Sequence, residues 1–418
     1  MRDLNLNSVS SVDKFSQTKR VSIDTVLWLL VAFTLPFQQL LYVIFSQNVR
    51  YFPLLVGIIG VLLGRVYRVN GFGILIGASF LILAAGFISG SNSNVPSSTL
   101  VATSFVGFVL FTSLSLSFQI RHFRWFTKTM LVLFLVAHTL SIGVAFAQAV
   151  GIDAFGLSQR GGRVNGLAYH PNVLGIISVL VVLFLTGFIF KNRGSIVWAG
   201  FLILANLYAI VLSGSLSSLL ALLAGLAIFL NKLGVWERFI VLFYSFVALL
   251  FVFSIGTKPF LRLLPDFTQE RMRVVLGEQS GGVASAEIRF QTYNHALSYI
   301  SRDPVVGVGM DSMNQSTVAL DLVVHNYLLR GWYQGGFLLF VGFLVLTIYY
   351  LWQAQRLARF GHLEFSSIIV ALFAFALTSA FYTQSNYWLP IIFCGVLASS
   401  FEDRFKSTVN QVTAPIAE

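Results

Sequence analysis

The chain has 418 residues, of which 56% are hydrophobic and 10% charged, with a formal net charge of +11. Soluble domains carry about 25% charged residues and the mean hydropathy here is +0.81, so composition excludes a water-soluble globular protein or one with a single anchor, and leaves a polytopic membrane protein. The positive charge is not read as a nucleic-acid surface, because the basic residues sit mostly in short loops between apolar runs, where they set membrane orientation.

Met1 to Asp24 is polar and basic and is expected to be a cytoplasmic tail. The apolar run behind it is long for a signal peptide and no Ala-x-Ala site follows, so it is expected to be an uncleaved first span. Twelve apolar runs of spanning length follow one another, at about 25–45, 52–69, 71–90, 99–119, 126–149, 172–190, 195–212, 216–231, 238–256, 333–352, 366–382 and 387–401. Cys394, the one cysteine, lies in the last of these and reads as a small buried apolar residue; no internal disulfide can form. The expected fold is an all-α polytopic membrane protein with about twelve transmembrane helices and one long, partly helical extracytoplasmic loop. Its parts are a tail over 1–24, nine spans within 25–256, the loop at 257–325, three spans within 326–401 and a second tail over 402–418.

Twelve spans put both termini on one side. With that side in the cytoplasm, 17 of the 27 Lys and Arg are cytoplasmic, and every cytoplasmic connection is basic. The outer connections at 91–98, 213–215 and 383–386 carry no charge. The loop at 257–325 is then extracytoplasmic, and its seven acidic, six basic and two histidine residues make it the main wet segment of the chain. Irregular backbone cannot face lipid, so chemistry is expected where such a segment meets the membrane.

Four motifs face that side. In Arg160-Gly161-Gly162-Arg163-Val164-Asn165-Gly166-Leu167-Ala168-Tyr169-His170-Pro171-Asn172, glycines permit tight turns and Pro171 suits a first helical turn capped by His170 or Tyr169. Arg160 and Arg163 stand in a short outer loop that the orientation rule disfavours, and free helix N-terminal amides beside a guanidinium fork suit phosphate; solvation in an outer vestibule explains them equally well. Ser213-Gly214-Ser215-Leu216-Ser217-Ser218 is either a close-packed hairpin or a hydroxyl-lined patch. Residues 285–300 show a rough helical period through Ile288, Gln291, Tyr293, Ala296, Leu297 and Ile300, with Arg289 near Tyr293, before a turn holding Pro304, Gly307 and Gly309. A lone Gly-x-Gly is a weak dinucleotide signal. Last, His325-Asn326-Tyr327-Leu328-Leu329-Arg330-Gly331 stands where the loop re-enters the membrane, and its histidine is either a helix cap or a proton acceptor. His138, alone in an apolar run, reads as a hydrogen-bonded packing residue rather than a proton relay.

In this order and topology the stretches resemble the O-antigen ligase and polymerase superfamily of integral-membrane glycosyltransferases. The resemblance covers roughly residues 155–345 and rests on Arg163, Gly166, Pro171 and Asn172; on Arg289, Pro304, Gly307 and Gly309; and on His325, Asn326, Leu329, Gly335 and Gly336. It departs at the outer turn, where family members commonly have Ser-Arg and this chain has Ser215-Leu216. That loss weakens the ligase alternative and shifts the expected load to Arg160 or Arg163.

The resemblance implies inverting transfer of a glycan from an undecaprenyl-pyrophosphate-linked donor to a glycan acceptor outside the membrane, without metal or cofactor. The acceptor is a lipid-linked repeat unit for a polymerase or lipid A-core for a ligase; a lipid-linked glycan flippase is the third reading. It further implies a place in the bacterial inner membrane with the site facing the periplasm, contact with membrane lipids, no nucleic acid, and a chain-length regulator protein as a further partner. By this reading His325 is the base, Arg289 and Arg163 neutralise the pyrophosphate, and Arg160, Arg330 and Asn172 assist in binding it.

Overall fold

Long runs of Leu, Ile, Val, Ala and Phe satisfy their backbone polar groups most simply as helices, and among the described residues such runs are predominantly helical. The computed structural model describes residues 21–45, 47–93, 95–152, 163–168, 170–191, 196–230, 283–311, 323–379 and 384–413. The expected span at 238–256, much of the loop, and Arg160 lie outside the described residues.

Helices α1 (Ile23–Thr34), α2 (Gln38–Phe45), α3 (Phe52–Leu62), α4 (Phe72–Asn92), α5 (Ser97–His122), α6 (Arg124–Ala149), α7 (Pro171–Lys191), α8 (Ile196–Ser213) and α9 (Leu216–Leu230) make the first part. After them come α10 (Val283–Arg302), α11 (Tyr327–Arg359), α12 (Leu363–Ala376) and α13 (Ser385–Thr413). Five of these, α4, α5, α6, α7 and α11, are long and apolar enough to cross a membrane by themselves.

Helix boundaries follow the expected runs closely over α4 to α9 and depart elsewhere for identifiable reasons. The run at 25–45 is broken by a 3-10 turn at Leu35–Phe37, where Pro36 lacks the amide that would continue the ladder. The run at 52–69 stops as helix at Leu62, followed by Gly64 with φ +69°. The run at 333–352 starts earlier, at Tyr327, and continues to Arg359. The last run extends beyond 401 to Thr413, into the segment expected to be a tail.

The bundle is built around α7, which is apolar on all sides and buried along most of its length. It packs against α8, α9 and α12, while α4 lies along both α5 and α11. The outer helices turn apolar side chains outward: Phe80 on α4, Val136 and Leu140 on α6, and Trp198, Phe201 and Leu204 on α8 are all exposed. Apolar surface of that extent suits lipid rather than water.

The two ends of the bundle differ in chemistry. At one end, ion pairs join Arg65 to Asp24 at 2.8 Å, Lys191 to Glu364 at 2.5 Å, Arg121 to Asp403 and Arg356 to Glu402. All these residues come from segments assigned to the cytoplasm by the charge count. The opposite end gathers the N-termini of α5, α7, α11 and α13 and receives α10. His138, deep in α6, hydrogen-bonds through Nε2 with Ser178 Oγ at 3.1 Å and Asn206 Oδ1 at 3.0 Å, as a packing histidine should.

Candidate active site

The site forms where two helices begin. His170 caps α7: its carbonyl accepts from Val173 N and Leu174 N, and its Nδ1 accepts from Asn172 N at 3.1 Å. Asn326 caps α11, its Oδ1 accepting from Leu328 N at 3.1 Å and Leu329 N at 3.0 Å. Both caps satisfy first-turn amides that would otherwise be orphaned. Each also places the positive end of a helix dipole at this end of the bundle.

The segment before α7 is threaded into the bundle instead of lying over it. Asn165 is fully buried, and Gln148 Oε1 accepts from Asn165 N at 3.2 Å and Gly166 N at 2.9 Å. Gly166 has φ +54°, and a Cβ there would meet the Ser141 carbonyl oxygen at 2.5 Å, so the Arg-x-x-Gly spacing has a steric reason. This anchoring carries Arg163 to the turn between α8 and α9. Its Nε donates to the Ser213 carbonyl at 2.7 Å, and its Nη2 to Asn172 Oδ1 at 2.6 Å.

That turn is a close-packed hairpin. Ser213 and Ser218 are fully buried, Ser218 Oγ donates to Ser215 Oγ at 2.8 Å, and a Cβ on Gly175 of α7 would stand 2.5 Å from Ser218 Oγ. The hydroxyls serve helix contact, and the polar group presented to Arg163 is the Ser213 carbonyl.

From the other side α10 packs on the start of α11 through Tyr293, Ala296, Ile300 and Tyr333. Of the expected stripe, Tyr293, Ala296 and Ile300 face inward, Gln291 and Leu297 are exposed, and the side chain of Ile288 lies outside the described residues. The Tyr293 hydroxyl donates to the His325 carbonyl at 3.0 Å, which fixes α10 against the histidine. Arg289, one turn before Tyr293, is half-buried.

The Gly-x-Gly turn completes the arrangement, and its glycines are structural. At Gly336, with φ +68° and ψ −167°, α11 breaks. The break is filled by backbone: Val308 N donates to the Tyr333 carbonyl at 3.0 Å, Gly309 N to the Gln334 carbonyl at 2.8 Å, and Phe337 N to the Pro304 carbonyl at 3.0 Å. A Cβ on Gly336 would fall 1.8 Å from the Val305 oxygen, and one on Gly307 would fall 2.5 Å from Gly336 N. Arg330 is buried below this joint, its Nε donating to Gln334 Oε1 at 3.1 Å and its Nη2 to the Asp311 carbonyl at 3.3 Å.

These contacts converge on His325. Burial, then the charges of Arg289 and Arg330, push its pKa from 6.5 down to about 4, with His170 close by as a lesser influence. The imidazole is therefore neutral at physiological pH and surrounded by positive potential, an environment that a polyanion would complete. Among the described residues no group of three His, Cys, Asp or Glu side chains comes together as metal ligands.

Residues 199–344 match the O-antigen ligase family, Wzy_C. The family is shared by O-antigen polymerases and ligases, enzymes that transfer lipid-linked glycans. The Wzy_C match takes in α8, α9, α10, the glycine turn, His325 and the break in α11. It leaves out Arg163 and Asn172, which the fold brings to its Ser213 turn. Among curated proteins, none matches the chain.

Of the residues singled out from sequence, Arg163 and Asn172 form one bonded pair, and Arg289, Arg330 and His325 form one electrostatic group. His170 links the two, through Asn172 N on one side and its effect on His325 on the other. Sequence reasoning placed His170 only as a cap. It missed the Tyr293 bond to His325 and the Ser213 carbonyl, since a main-chain acceptor leaves no trace in residue type.

Proposed function

We propose that this protein polymerises undecaprenyl-pyrophosphate-linked polysaccharide repeat units at the periplasmic face of a bacterial inner membrane. The observation that supports the reading is that Arg289, Arg330 and His170 act electrostatically on His325 at the start of α11, while Arg163 is bonded to Asn172 in the first turn of α7, next to His170, within and beside the Wzy_C match.

In this reading Arg163 and Arg289 face the pyrophosphate, and the two helix termini add to the positive field. Asn172 orients Arg163. Arg330 contributes its charge from below while holding the glycine turn. The acceptor hydroxyl attacks the anomeric carbon, the bond from that carbon to the pyrophosphate oxygen breaks, and the hydroxyl proton passes to His325. One displacement inverts the anomeric centre. The pyrophosphate leaves as an anion onto donors already in place, which is where most of the rate enhancement arises.

A ligase acting on lipid A-core is the second reading, favoured by the description of the matched family. Leu216 after Ser215, where the resemblance would place arginine, favours the polymerase. A deletion strain separates them by the polysaccharide it makes. A single repeat on the core is expected; free polymer beside naked core would make it a ligase, and lipid-linked units accumulating in the cytoplasm would make it a flippase.

A further inference from the structure

The outer end holds a second hollow, opposite in chemistry to the arginine-rich site. Its volume is about 450 Å³, within the range of small-molecule sites, and it lies between the end of α4, the end of α10 and the glycine turn. Asn92 and Ser93 line it from α4, Tyr299 and Asp303 from α10, and Gly307 and Val308 from the turn. Asn92 is exposed, and Tyr299 and Asp303 are partly so. Among the described lining residues there is no cation, and the one charge is the Asp303 carboxylate.

The walls are held in place before any ligand arrives. Gly309 has φ +107°, and a Cβ there would stand 2.6 Å from Ser93 Oγ, so the glycine turn lies directly against the end of α4. Met310 N donates to Ser98 Oγ at 2.7 Å, which fastens the turn to α5 as well. Asp303 N donates to the Tyr299 carbonyl at 2.9 Å, so the two side chains keep helical spacing and share one face. The Tyr299 ring meets Tyr333 edge to face, with centres 5.5 Å apart. Asp303 Oδ1 accepts from Val306 N at 3.2 Å, and Asn92 Nδ2 donates to the Ile88 carbonyl at 3.1 Å. No described residue bonds to the other Asp303 oxygen, to Asn92 Oδ1 or to the Tyr299 hydroxyl. Burial, then the Asp303 carboxylate, raises the Tyr299 pKa above its ordinary value, so the phenol keeps its proton as a donor.

An aromatic ring beside an oriented carboxylate, an amide oxygen and a phenol suits a sugar. The C–H face of a sugar ring packs on the aromatic ring, and its hydroxyls donate to the carboxylate and amide oxygens and accept from the phenol. A hydroxyl bonded to a carboxylate makes the stronger, charge-assisted kind of hydrogen bond. The same carboxylate repels phosphate, which keeps the pyrophosphate end of a substrate out of this pocket.

We infer that the pocket is a sugar subsite, holding an uncharged ring of the lipid-linked glycan while the pyrophosphate lies at the arginines. The ligand class rests on the glycan-transfer reading above. Helix α10 sets the spacing: Tyr293, whose hydroxyl donates to the His325 carbonyl at 3.0 Å, and Tyr299 lie about 9 Å apart along it by helix rise. A glycan running along α10 from the reaction centre reaches Tyr299 within a few rings, so the subsite reads sugar identity close to the bond being made.

The test uses the full-length protein in nanodiscs, with binding measured for an oligosaccharide repeat cut from the strain's own polysaccharide and for inorganic pyrophosphate. Asp303→Asn keeps an oxygen for Val306 N and removes the charge; Tyr299→Phe keeps the contact with Tyr333 and removes the hydroxyl. Each is expected to weaken oligosaccharide binding about tenfold, the loss of one strong hydrogen bond, with Tm and pyrophosphate binding as in the wild type. KM for transfer should rise by a similar factor, with a smaller effect on kcat. Donor and acceptor lipids of different glycan length are varied separately, and the KM that rises tells which of the two glycans the subsite holds. Oligosaccharide affinity and both KM values unchanged in both variants would overturn the inference and leave the polymerase reading standing. So would an equal loss of pyrophosphate binding, the mark of a purely structural role. If oligosaccharide binding falls as expected but the wild type transfers no glycan, the polymerase reading fails and the sugar site stands.

Discussion

Arg163 holds the Ser213 carbonyl at 2.7 Å, pinning the segment before α7 to the turn between α8 and α9. This is the turn at which the family resemblance leads one to look for an arginine after Ser215 and finds Leu216. A guanidinium is present there all the same, delivered from a different part of the chain.

Arg163→Ala is therefore expected to lower glycan transfer by about 100-fold or more, the usual effect of removing one donor to a developing anion. Arg163→Lys should not restore it, because an ammonium cannot span the Ser213 carbonyl and Asn172 Oδ1 as the planar fork does. Transfer measured on purified variants with a lipid-linked donor checks this; activity in the alanine variant within a few-fold of wild type would remove Arg163 from the site.

The depressed pKa of His325 sets the sign of the pH dependence. In the free enzyme the imidazole stays neutral, and able to accept a proton, down to about 4. The acid limb of kcat/KM is thus expected near 4 and not at the ordinary 6.5. Bound pyrophosphate favours the imidazolium, so the acid limb of kcat should lie at higher pH than that of kcat/KM. His325→Ala should abolish transfer while the protein still inserts and folds. Coincident limbs at 6.5, or normal product lengths from the alanine variant, would refute the assignment.

Gly336→Ala is expected to cost about 3 kcal/mol or more. It forces a β-carbon into a backbone conformation open essentially to glycine and onto the Val305 oxygen. Thermal unfolding in detergent should show a clear drop in Tm, with transfer lost as the turn at 304–309 separates from α11. An unchanged Tm would show that the break in α11 is not held as described.

His138→Ala separates packing from proton transport. Loss of its bonds to Ser178 and Asn206 leaves those partners buried, which should destabilise the bundle by about 1–3 kcal/mol. Transfer per folded molecule should be retained. Full stability with collapsed function would point instead to a proton relay and to a transporter.

The sequence alone determined the membrane character, most helix positions and the basic character of the connections on one side. Hydropathy and charge act locally and add up along the chain, and in a bilayer a long apolar run has almost no alternative to a helix. It also pointed to Arg163, Asn172, Arg289 and His325 through motifs that resemble one family, with Arg160 and Arg330 as assisting cations. What those residues do for one another was decided by the tertiary structure. Gln148 and Ser141 draw the Arg163 segment into the bundle, and Tyr293 fastens α10 to His325. The glycine turn owes its composition to a helix break distant in sequence. Each of these depends on backbone amides and carbonyls meeting across long stretches of chain, and such groups are the same in every residue, so residue type cannot announce which of them will pair.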